Sequence, residues 1–350
     1  MGSNTLRAVV CHGAHDLRIE AIEVAAPGPG EVRVKIAAGG ICGSDLHYYN
    51  HGGFGAVRLK EPMILGHEVA GTVVAVGEGV VSPAIGTRIA INPSKPCGTC
   101  RFCLSGLKQQ CVDMRFNGSA MRFPHMQGIF RDEMVVEAER AVAVGADTPF
   151  EEAAFAEPLA VALHAVAQAG SLVGKRVLVT GTGTIGCLVV LAARHAGAGE
   201  IVATDISDHA LAVAAKVGAD RTVNVATDPD GLAPFKADKG YFDVAFECSG
   251  NGKVLAGLAD LITPQGLVNL IGLGGDQPMP ISSLVFKEIR LHGSFRFDRE
   301  FHWAADMLAK RSVDIRPLLT SVMPLDRAAA AFDLAGDRSR SVKVLLDFAS

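Results

Sequence analysis

A glycine-rich turn between a predicted strand and a predicted helix constrains the fold of this chain more than any other feature. The motif Gly181-x-Gly183-x-x-Gly186 follows the apolar run Arg176–Thr180 and precedes the helical stretch Cys187–His195. Further strand-like runs then alternate with helical stretches, at Glu200–Thr204, Arg221–Asn224, Phe242–Cys248, Leu267–Ile271 and Ile289–Phe295. Such alternation predicts an α/β fold with a doubly wound parallel sheet.

The same turn is suited to bind the phosphates of a dinucleotide. Gly181 allows the tight turn, Gly183 lets the backbone approach the pyrophosphate, and Gly186 permits close packing of helix on strand. Thr184 and Ile185 occupy the positions between the last two glycines, at the start of the helix, whose free N–H groups attract phosphate. These five residues are therefore the candidate phosphate-binding group.

An acidic residue ends the second predicted strand. Asp205 is placed to accept hydrogen bonds from an adenosine ribose. Its carboxylate would repel a 2′-phosphate, and no arginine follows in Ile206–Leu211. The sequence therefore predicts NAD as the cofactor, with NADP less favoured.

The first 150 residues have a different character. From Leu6 to about Val144 the chain consists of short β-branched runs broken by Gly and Pro, with no long helical period. This pattern predicts a small β-barrel-like domain. Helices are expected at Phe150–Ala169, and later at Arg299–Lys310 and Arg327–Ala335. At 350 residues the chain is long enough for two domains.

Composition excludes two classes of partner. The net charge of −4 and pI near 6.3 offer nucleic acid no basic face. The longest runs without charged residues, Pro158–Gly174 and Val177–Ala193, are shorter than the roughly 20 apolar residues of a membrane span. The first thirteen residues contain no apolar block typical of a signal peptide. We therefore expect a cytoplasmic protein.

Four of the eight cysteines lie within fifteen positions of one another. The spacing Cys97-x2-Cys100-x2-Cys103-x7-Cys111 can close a tetrahedron of thiolates around zinc. Because sulfur would fill all four positions, such a site is structural. An iron–sulfur cluster is the alternative, but the ferredoxin-type run continues with x3-C-P, whereas here x7 separates the last two cysteines and Val112 follows.

A second candidate metal site must be assembled from separated segments. Cys42 lies in a glycine-flanked stretch with Ser44, Asp45 and His47; His67 and Glu157 lie elsewhere in the chain. A thiolate, an imidazole and a carboxylate with one open position make a catalytic zinc site. Each residue also has an ordinary explanation, as a core cysteine, a satisfied core histidine and a helix carboxylate.

Six segments together resemble one known family. They are GGICGSDLHYY at 39–49, LGHEVAG at 65–71, the four-cysteine segment, AEPLAV at 156–161, GTGTIG at 181–186 and FDVAFECSG at 242–250. In these the chain resembles the zinc-dependent medium-chain dehydrogenases, and within them the polyol group around sorbitol dehydrogenase. The resemblance runs nearly end to end. It implies a GroES-like catalytic domain, at 1–157 and 297–350, beside a Rossmann domain at 158–296.

The resemblance also implies roles for individual residues. Cys42, His67 and Glu157 match the catalytic zinc site. Glu68 is either a direct zinc ligand or a residue that contacts the ligands. Ser44 and His47 match a relay that carries the alcohol proton through the cofactor ribose to solvent. The four-cysteine segment matches the structural zinc, so two zinc ions per chain are expected. The positions that match the substrate pocket are Tyr48, Phe116, Arg296 and Phe297.

A narrower likeness concerns the substrate. AINPSKPCGTCRFC at 90–103, DMRFNGSAMRFPH at 113–125, KGYFDV at 239–244 and GSFRF at 293–297 resemble the members of this family that oxidise L-idonate to 5-keto-D-gluconate. An acid substrate needs an anion partner, and Arg115 or Arg296 is the candidate. A surface role for Arg115 is the alternative.

Two other functions stay open at this stage. One is a sorbitol- or xylitol-type polyol dehydrogenase, which acts on neutral substrates. The other is a nucleotide-binding protein that keeps the fold and the structural zinc but is catalytically silent. By analogy with the family, we expect a homo-oligomer, either a dimer or a tetramer.

Overall fold

The computed structural model describes residues 5–349 and contains two main β-sheets with helices packed around them. The predictions that involve residues 1–4 and 350, namely the chain ends of the catalytic domain and the start of the N-terminal segment, lie outside the described residues. The strands are β1 Leu6–Gly13, β2 Asp16–Ile22, β3 Glu31–Gly40, β4 Gly53–Phe54, β5 Val57–Arg58, β6 Met63–Ile64, β7 Glu68–Val76, β8 Arg88–Ile91, β9 Ser94–Lys95, β10 Arg115–Phe116, β11 Glu133–Glu137, β12 Ala141–Ala143, β13 Arg176–Thr180, β14 Glu200–Asp205, β15 Arg221–Asn224, β16 Phe242–Glu247, β17 Ile262–Leu270, β18 Arg290–Gly293, β19 Leu319–Pro324 and β20 Lys343–Asp347.

The α-helices are α1 Gly43–His51, α2 Arg101–Leu104, α3 Phe150–Ala153, α4 Ala156–Ala169, α5 Thr184–His195, α6 Asp208–Lys216, α7 Gly252–Leu261, α8 Ile281–Phe286, α9 Glu300–Ala309 and α10 Ala328–Gly336. Short 3₁₀ helices occur at Lys108–Gln110, Ala138–Arg140, Ala233–Lys239, Arg316–Leu318 and Leu325–Arg327. In the described part of the chain, no helix is long and apolar enough to cross a membrane.

The six strands β13–β18 form one sheet in which every pair is parallel, in the order β15-β14-β13-β16-β17-β18. Leu178, Val202 and Phe246, on three neighbouring strands, are fully buried because helices cover both faces. The order reverses between β13 and β16, so ligands are expected at the crevice where these strands end. The predicted doubly wound fold is confirmed.

The second large sheet is mainly antiparallel and joins the two ends of the chain. β3 pairs with β7 on one side and with the C-terminal strand β20 on the other. At Gly40, the last residue of β3, the partners are Glu68 of β7 and Leu345 of β20. Residues near positions 40, 68 and 345 therefore meet at one place. The domain boundaries at 157/158 and 296/297 stay predictions.

Two helices differ from what the sequence pattern indicated. The stretch after Gly40 was expected to contain no long helical period, but it forms the nine-residue helix α1. Cys42 is the N-cap residue of this helix, and its amide donates a hydrogen bond to the carboxylate of Asp45 at 3.0 Å. The single helix expected at Phe150–Ala169 is two helices, α3 and α4. Pro158 explains the break, because it has no N–H and its ring would clash with the carbonyl of Ala154 in a continuous helix.

Candidate active site and dinucleotide site

Cys42, His67 and Glu68 form a compact group of possible metal ligands. One ligand atom from each lies within 4.8 Å of the others. Cys42 is the N-cap residue of α1, and Glu68 begins β7, the strand paired with β3 at Gly40. The antiparallel register therefore brings together residues that are 26 positions apart in the sequence. His67 and Glu68 are both buried.

Asp45 contacts the backbone and the imidazole of this group through its carboxylate. Its side chain is fully buried and accepts hydrogen bonds from the amides of Cys42 at 3.0 Å and Gly66 at 3.1 Å. Its Oδ1 also lies 3.8 Å from Nδ1 of His67. Burial raises the pKa of Asp45, while His67 and the amide donors oppose that rise. Asp45 therefore fixes the backbone on either side of the thiol and the imidazole, which extends the supporting role in the turn that the sequence indicated.

Glu68 faces a lysine from the C-terminal strand. Lys343 forms an ion pair with Glu68, and both side chains are 2% exposed. Lys343 also donates a hydrogen bond to the carbonyl of Ile41 at 3.0 Å. Burial acts to lower the pKa of Lys343, but Glu68 and the other acidic groups raise it above its ordinary value. Lys343 was absent from the sequence-based candidates because no motif connects it with Glu68.

Glu157 lies near this group but is not one of the three residues within 4.8 Å. It is buried in the first turn of α4. Burial raises its pKa to about 8; Glu68 and Cys42 add to the rise, and His67 opposes it. Burial and the charge of Glu68 likewise raise the pKa of Cys42 to about 12. Burial therefore disfavours the ionised forms of both Cys42 and Glu157.

A divalent cation fits this donor set. Nδ1 of His67 is buried without a hydrogen-bond partner among the described residues. A thiol, an imidazole and carboxylates are ligands that zinc accepts, and a dication would stabilise the ionised forms that burial disfavours. The group of Cys42, His67 and Glu68 is therefore suited to hold a zinc ion, and the choice of Glu157 or Glu68 as the carboxylate ligand stays a prediction.

The four cysteines near residue 100 form a second group. Their sulfurs are separated by 3.6 Å for Cys100–Cys103 and by 4.0 Å for both Cys97–Cys103 and Cys100–Cys111. A tetrahedron with metal–sulfur bonds of about 2.3 Å has edges of about 3.8 Å. Amide donors, including Cys100 N–H at 3.4 Å, lower the pKa of Cys97 to about 6. The geometry fits one four-coordinate ion, with no ligand position left for water.

The glycine turn has the shape expected for a phosphate-binding loop. Gly181 has φ of +82°, and a Cβ there would lie 2.7 Å from the amide nitrogen of Ser249. A Cβ on Gly186 would overlap the carbonyl oxygen of Gly181, whereas one on Gly183 would meet nothing within 4 Å. Two glycines are therefore required by packing. The third, Gly183, leaves open space at the N-terminus of α5, where a dinucleotide phosphate fits.

Asp205 lies beside this turn. One carboxylate oxygen accepts a hydrogen bond from Thr182 N–H at 2.6 Å, and the other accepts from Ile206 and Ser207 N–H at 2.7 and 3.0 Å. These bonds hold the carboxylate at the end of β14, the position expected for a ribose partner. Thr184, by contrast, donates its hydroxyl to the carbonyl of Val342 at 2.6 Å. Ile185 is half-buried beside it.

Comparison with known proteins shows the family of this chain. A family model for the alcohol dehydrogenase GroES-like domain matches residues 28–146, and one for zinc-binding dehydrogenases matches residues 184–310. The L-idonate 5-dehydrogenase (NAD(P)(+)) of Escherichia coli K12 is 45% identical over 316 residues, which cover 90% of this chain and 91% of that protein. This chain belongs to the zinc-binding dehydrogenases. It is an NAD(P)-dependent zinc alcohol or polyol dehydrogenase, as the sequence resemblance implied.

One further relative and one solved structure define the group to which this dehydrogenase is similar. The sorbitol dehydrogenase of Gallus gallus is 35% identical over 347 residues, which cover 97% of this chain and 95% of that protein. The crystal structure of L-idonate 5-dehydrogenase from Escherichia coli K-12 superposes with a TM-score of 0.92 at 42% identity, covering 98% of both chains.

The predicted substrate residues of this dehydrogenase fall into two sets. Phe116 lies between the metal ligands and Arg296: its ring is 5.5 Å from that of His67, and the Arg296 guanidinium is 4.4 Å from its centroid. Tyr48 is buried on α1 and accepts a hydrogen bond from Ala120 N–H at 2.9 Å. Phe297, however, is 1% exposed, and Arg115 is exposed on β10.

The two residues of the predicted proton relay lie on α1. Ser44 is half-buried, and His47 follows three residues later on the same helix face. Partial loss of water around the ring lowers the pKa of His47, and the charges of His51 and Arg338 lower it further. A neutral imidazole is thereby favoured, which is the form that can accept a proton.

Proposed function

We propose that this dehydrogenase oxidises a secondary alcohol of L-idonate to 5-keto-D-gluconate. The observation that carries the proposal is the guanidinium of Arg296, which is stacked on Phe116 near the metal ligands. Burial lowers the pKa of Arg296, and Glu157 and Tyr48 raise it. None of the ion pairs formed by residues 5–349 includes Arg296. A desolvated guanidinium without a carboxylate partner is suited to bind the carboxylate of a substrate.

Arg296 is favoured over Arg115 as this anion partner. Arg115 is exposed on the two-residue strand β10, opposite Lys95. Arg296 lies at the side of the site, where its Nη2 is 3.2 Å from Sδ of Met121, a residue of the segment that resembles the L-idonate enzymes. Of the two arginines, Arg296 is therefore the one suited to bind the carboxylate of a sugar acid.

The proposed mechanism assigns a task to each group of side chains. Bound zinc supplies Lewis acidity toward the alcohol oxygen, and the bound dinucleotide supplies the hydride acceptor. Cys42, His67 and either Glu157 or Glu68 hold the metal. Ser44 would accept the proton that leaves the alcohol, and His47 would release it to solvent. Two zinc ions per chain, one in each cysteine-containing group, are part of the proposal.

Two arginine variants test the carboxylate contact. Arg296→Leu is expected to raise KM for L-idonate roughly 10- to 100-fold, because charge-assisted hydrogen bonds contribute about 1.5–3 kcal/mol. KM for a neutral alditol should change little. Arg115→Leu serves as the matched control and should leave both values nearly unchanged. Equal increases for L-idonate and the alditol in Arg296→Leu would exclude the carboxylate role.

A sorbitol- or xylitol-type activity is the second candidate function. It is supported by the 35% identity to the avian sorbitol dehydrogenase over nearly the whole chain. In that case Arg296 would contact hydroxyl groups, and a carboxylate would bring no advantage. A catalytically silent nucleotide-binding protein is disfavoured, because Cys42, His67 and Glu157 are all retained. The cytoplasmic location expected from the sequence stays a prediction.

We further propose that NAD is preferred and that the chain forms a homodimer or homotetramer. The carboxylate of Asp205, which backbone amides hold in place, supports the preference for NAD over NADP. The Escherichia coli relative is named for both cofactors. For the oligomer, β18 is paired only with β17 in the described sheet. Leu291 on this edge strand is 43% exposed, and Val285 and Phe286 nearby are 65% and 85% exposed. An apolar sheet edge of this kind is suited to pair with a second copy.

A further inference from the structure

The segment between α10 and β20 contacts the nucleotide-binding part of the chain. We call Asp337–Val342 the C-terminal strap. Ser207 donates its hydroxyl to the carbonyl of Arg338 at 3.0 Å, and Thr184 donates its hydroxyl to the carbonyl of Val342 at 2.6 Å. Both donors are side chains of the nucleotide-binding part, and both acceptors are backbone carbonyls of the strap.

The two hydrogen bonds lie beside the expected positions of the pyrophosphate and of the adenosine ribose. Thr184 follows Gly183 at the N-terminus of α5, where the pyrophosphate is expected. Ser207 lies two residues after Asp205, next to the expected adenosine ribose. The strap therefore runs alongside the site from its ribose end to its phosphate end.

Arg338 is the basic residue at the ribose end of the strap. Its carbonyl oxygen accepts the hydrogen bond from Ser207, which lies two residues after Asp205. The side chain of Arg338 is exposed, so its guanidinium is free to approach a phosphate bound beside Asp205. In the part of the chain that the structure describes, Arg338 forms no ion pair. Arg340, two residues later, instead lies 3.8 Å from the carboxylate of Asp337.

We propose that Arg338 binds the 2′-phosphate of NADP and is the residue through which this NAD(P)-dependent dehydrogenase accepts the phosphorylated cofactor. This inference rests on the proposed dinucleotide site. Arg338 is the residue that limits the preference of the enzyme for NAD. Asp205 binds the ribose hydroxyls and repels a 2′-phosphate, whereas a guanidinium nearby binds that phosphate through paired hydrogen bonds. The sequence pattern gave no hint of this, because the arginine follows Asp205 by 133 positions rather than by a few.

Binding measurements on the zinc-loaded enzyme test the proposal without any substrate. NADPH and NADH are titrated into wild type, Arg338→Ala and the matched control Arg340→Ala. We expect Arg338→Ala to weaken NADPH binding roughly 10- to 100-fold and NADH binding less than about twofold, as for the loss of a charge-assisted contact. Arg340→Ala should change both affinities less than about twofold. Adenosine 2′,5′-bisphosphate and AMP, used as probes without nicotinamide, should show the same contrast.

Each outcome bears on a separate claim. Equal weakening of NADPH and NADH in Arg338→Ala would place the guanidinium on the pyrophosphate and overturn the proposal. Equal effects of Arg338→Ala and Arg340→Ala would also overturn it, because they would reflect only the net charge of the strap. Failure of wild type to bind either dinucleotide would instead contradict the dinucleotide site itself.

A second pair of variants tests whether Asp205 and Arg338 have opposite effects on the binding of NADPH. Asp205→Ala is expected to strengthen NADPH binding, because the repelling carboxylate is gone. Adding Arg338→Ala to that variant should remove most of the gain. If the double variant binds NADPH as tightly as Asp205→Ala alone, Arg338 does not contact the 2′-phosphate. The bond from Ser207 to the strap is retained throughout, since it involves the backbone of Arg338.

Discussion

Lys343 and Glu68 form an ion pair from which water is almost excluded, each side chain being 2% exposed. The pair links the C-terminal strand β20 to the first residue of β7, on either side of Gly40. A Cβ on Gly40 would overlap the Glu68 carboxylate and lie 2.8 Å from Cε of Lys343. Gly40 thus leaves the space in which the pair forms, and the last strand of the chain takes part in the site that the first strands build.

Removal of the lysine should destabilise the enzyme strongly. Lys343→Met leaves the carboxylate of Glu68 buried without its partner, a change that costs about 3–5 kcal/mol. The free energy of unfolding, measured with zinc present, gives the effect. Lys310→Met is the matched control: its ion pair with Asp306 is exposed, so its loss should cost less than about 1 kcal/mol. Similar losses for the two variants would mean that the Glu68 charge is not held by Lys343.

The two metal groups should respond separately to removal of one ligand. Cys103→Ser is expected to lose one zinc ion per chain and much of its thermal stability, because the four-cysteine group has no other ligand to offer. Cys42→Ser is expected to lose the other zinc ion and the activity, with the melting temperature lowered less. Metal content and thermal unfolding of both variants check this. Loss of both ions in either variant would show that the two groups are not independent sites.

A buried pair between α4 and α9 makes a pH-dependent contribution to stability. Nδ1 of His164 lies 3.3 Å from Glu300, and both side chains are at most 6% exposed. Burial opposes ionisation of Glu300, but the contacts with His164 and the amide of Asp298 prevail and lower its pKa from 4.5 to about 2. Because this pKa is below its unfolded value, the contribution is complete above about pH 4.5. It is lost as the pH falls toward 2.

The variant Glu300→Gln isolates this contribution. The shift corresponds to about 3 kcal/mol at neutral pH. Wild type should therefore be clearly more stable than Glu300→Gln at pH 6, and the difference should shrink at pH 4 and below. Thermal unfolding of both proteins across this range measures it. A difference that stays constant with pH would show that Glu300 contributes through packing rather than through its charge.

The sequence predicted those features that depend on short motifs. The glycine turn, the alternation of strands and helices after Arg176 and the spacing of the four cysteines each have local physical causes, and the structure contains all three. The N-terminus of α1 was missed because its N-cap residue is a cysteine, which the usual capping pattern does not include.

The remaining features depend on contacts between distant segments. Lys343 reaches Glu68 through the pairing of β20 with β3, and Arg338 reaches Ser207 through a strap more than a hundred residues away. The placement of Arg296 beside Phe116 likewise requires the chain to return from the parallel sheet. A pattern within one segment cannot reveal such contacts, because tertiary structure alone brings the partners together.

The substrate preference tests the central proposal most directly. Initial rates of NADH formation are measured with L-idonate, with D-gluconate, which differs only in configuration at C5, and with the neutral alditols sorbitol and xylitol. The proposal predicts that kcat/KM for L-idonate exceeds that for each alditol roughly 100-fold or more, because only the acid pairs with Arg296. D-gluconate carries the same charge but has the opposite configuration at C5, so it should be a poor substrate. Oxidation of sorbitol or xylitol with equal or higher kcat/KM would contradict the assignment and indicate a polyol dehydrogenase.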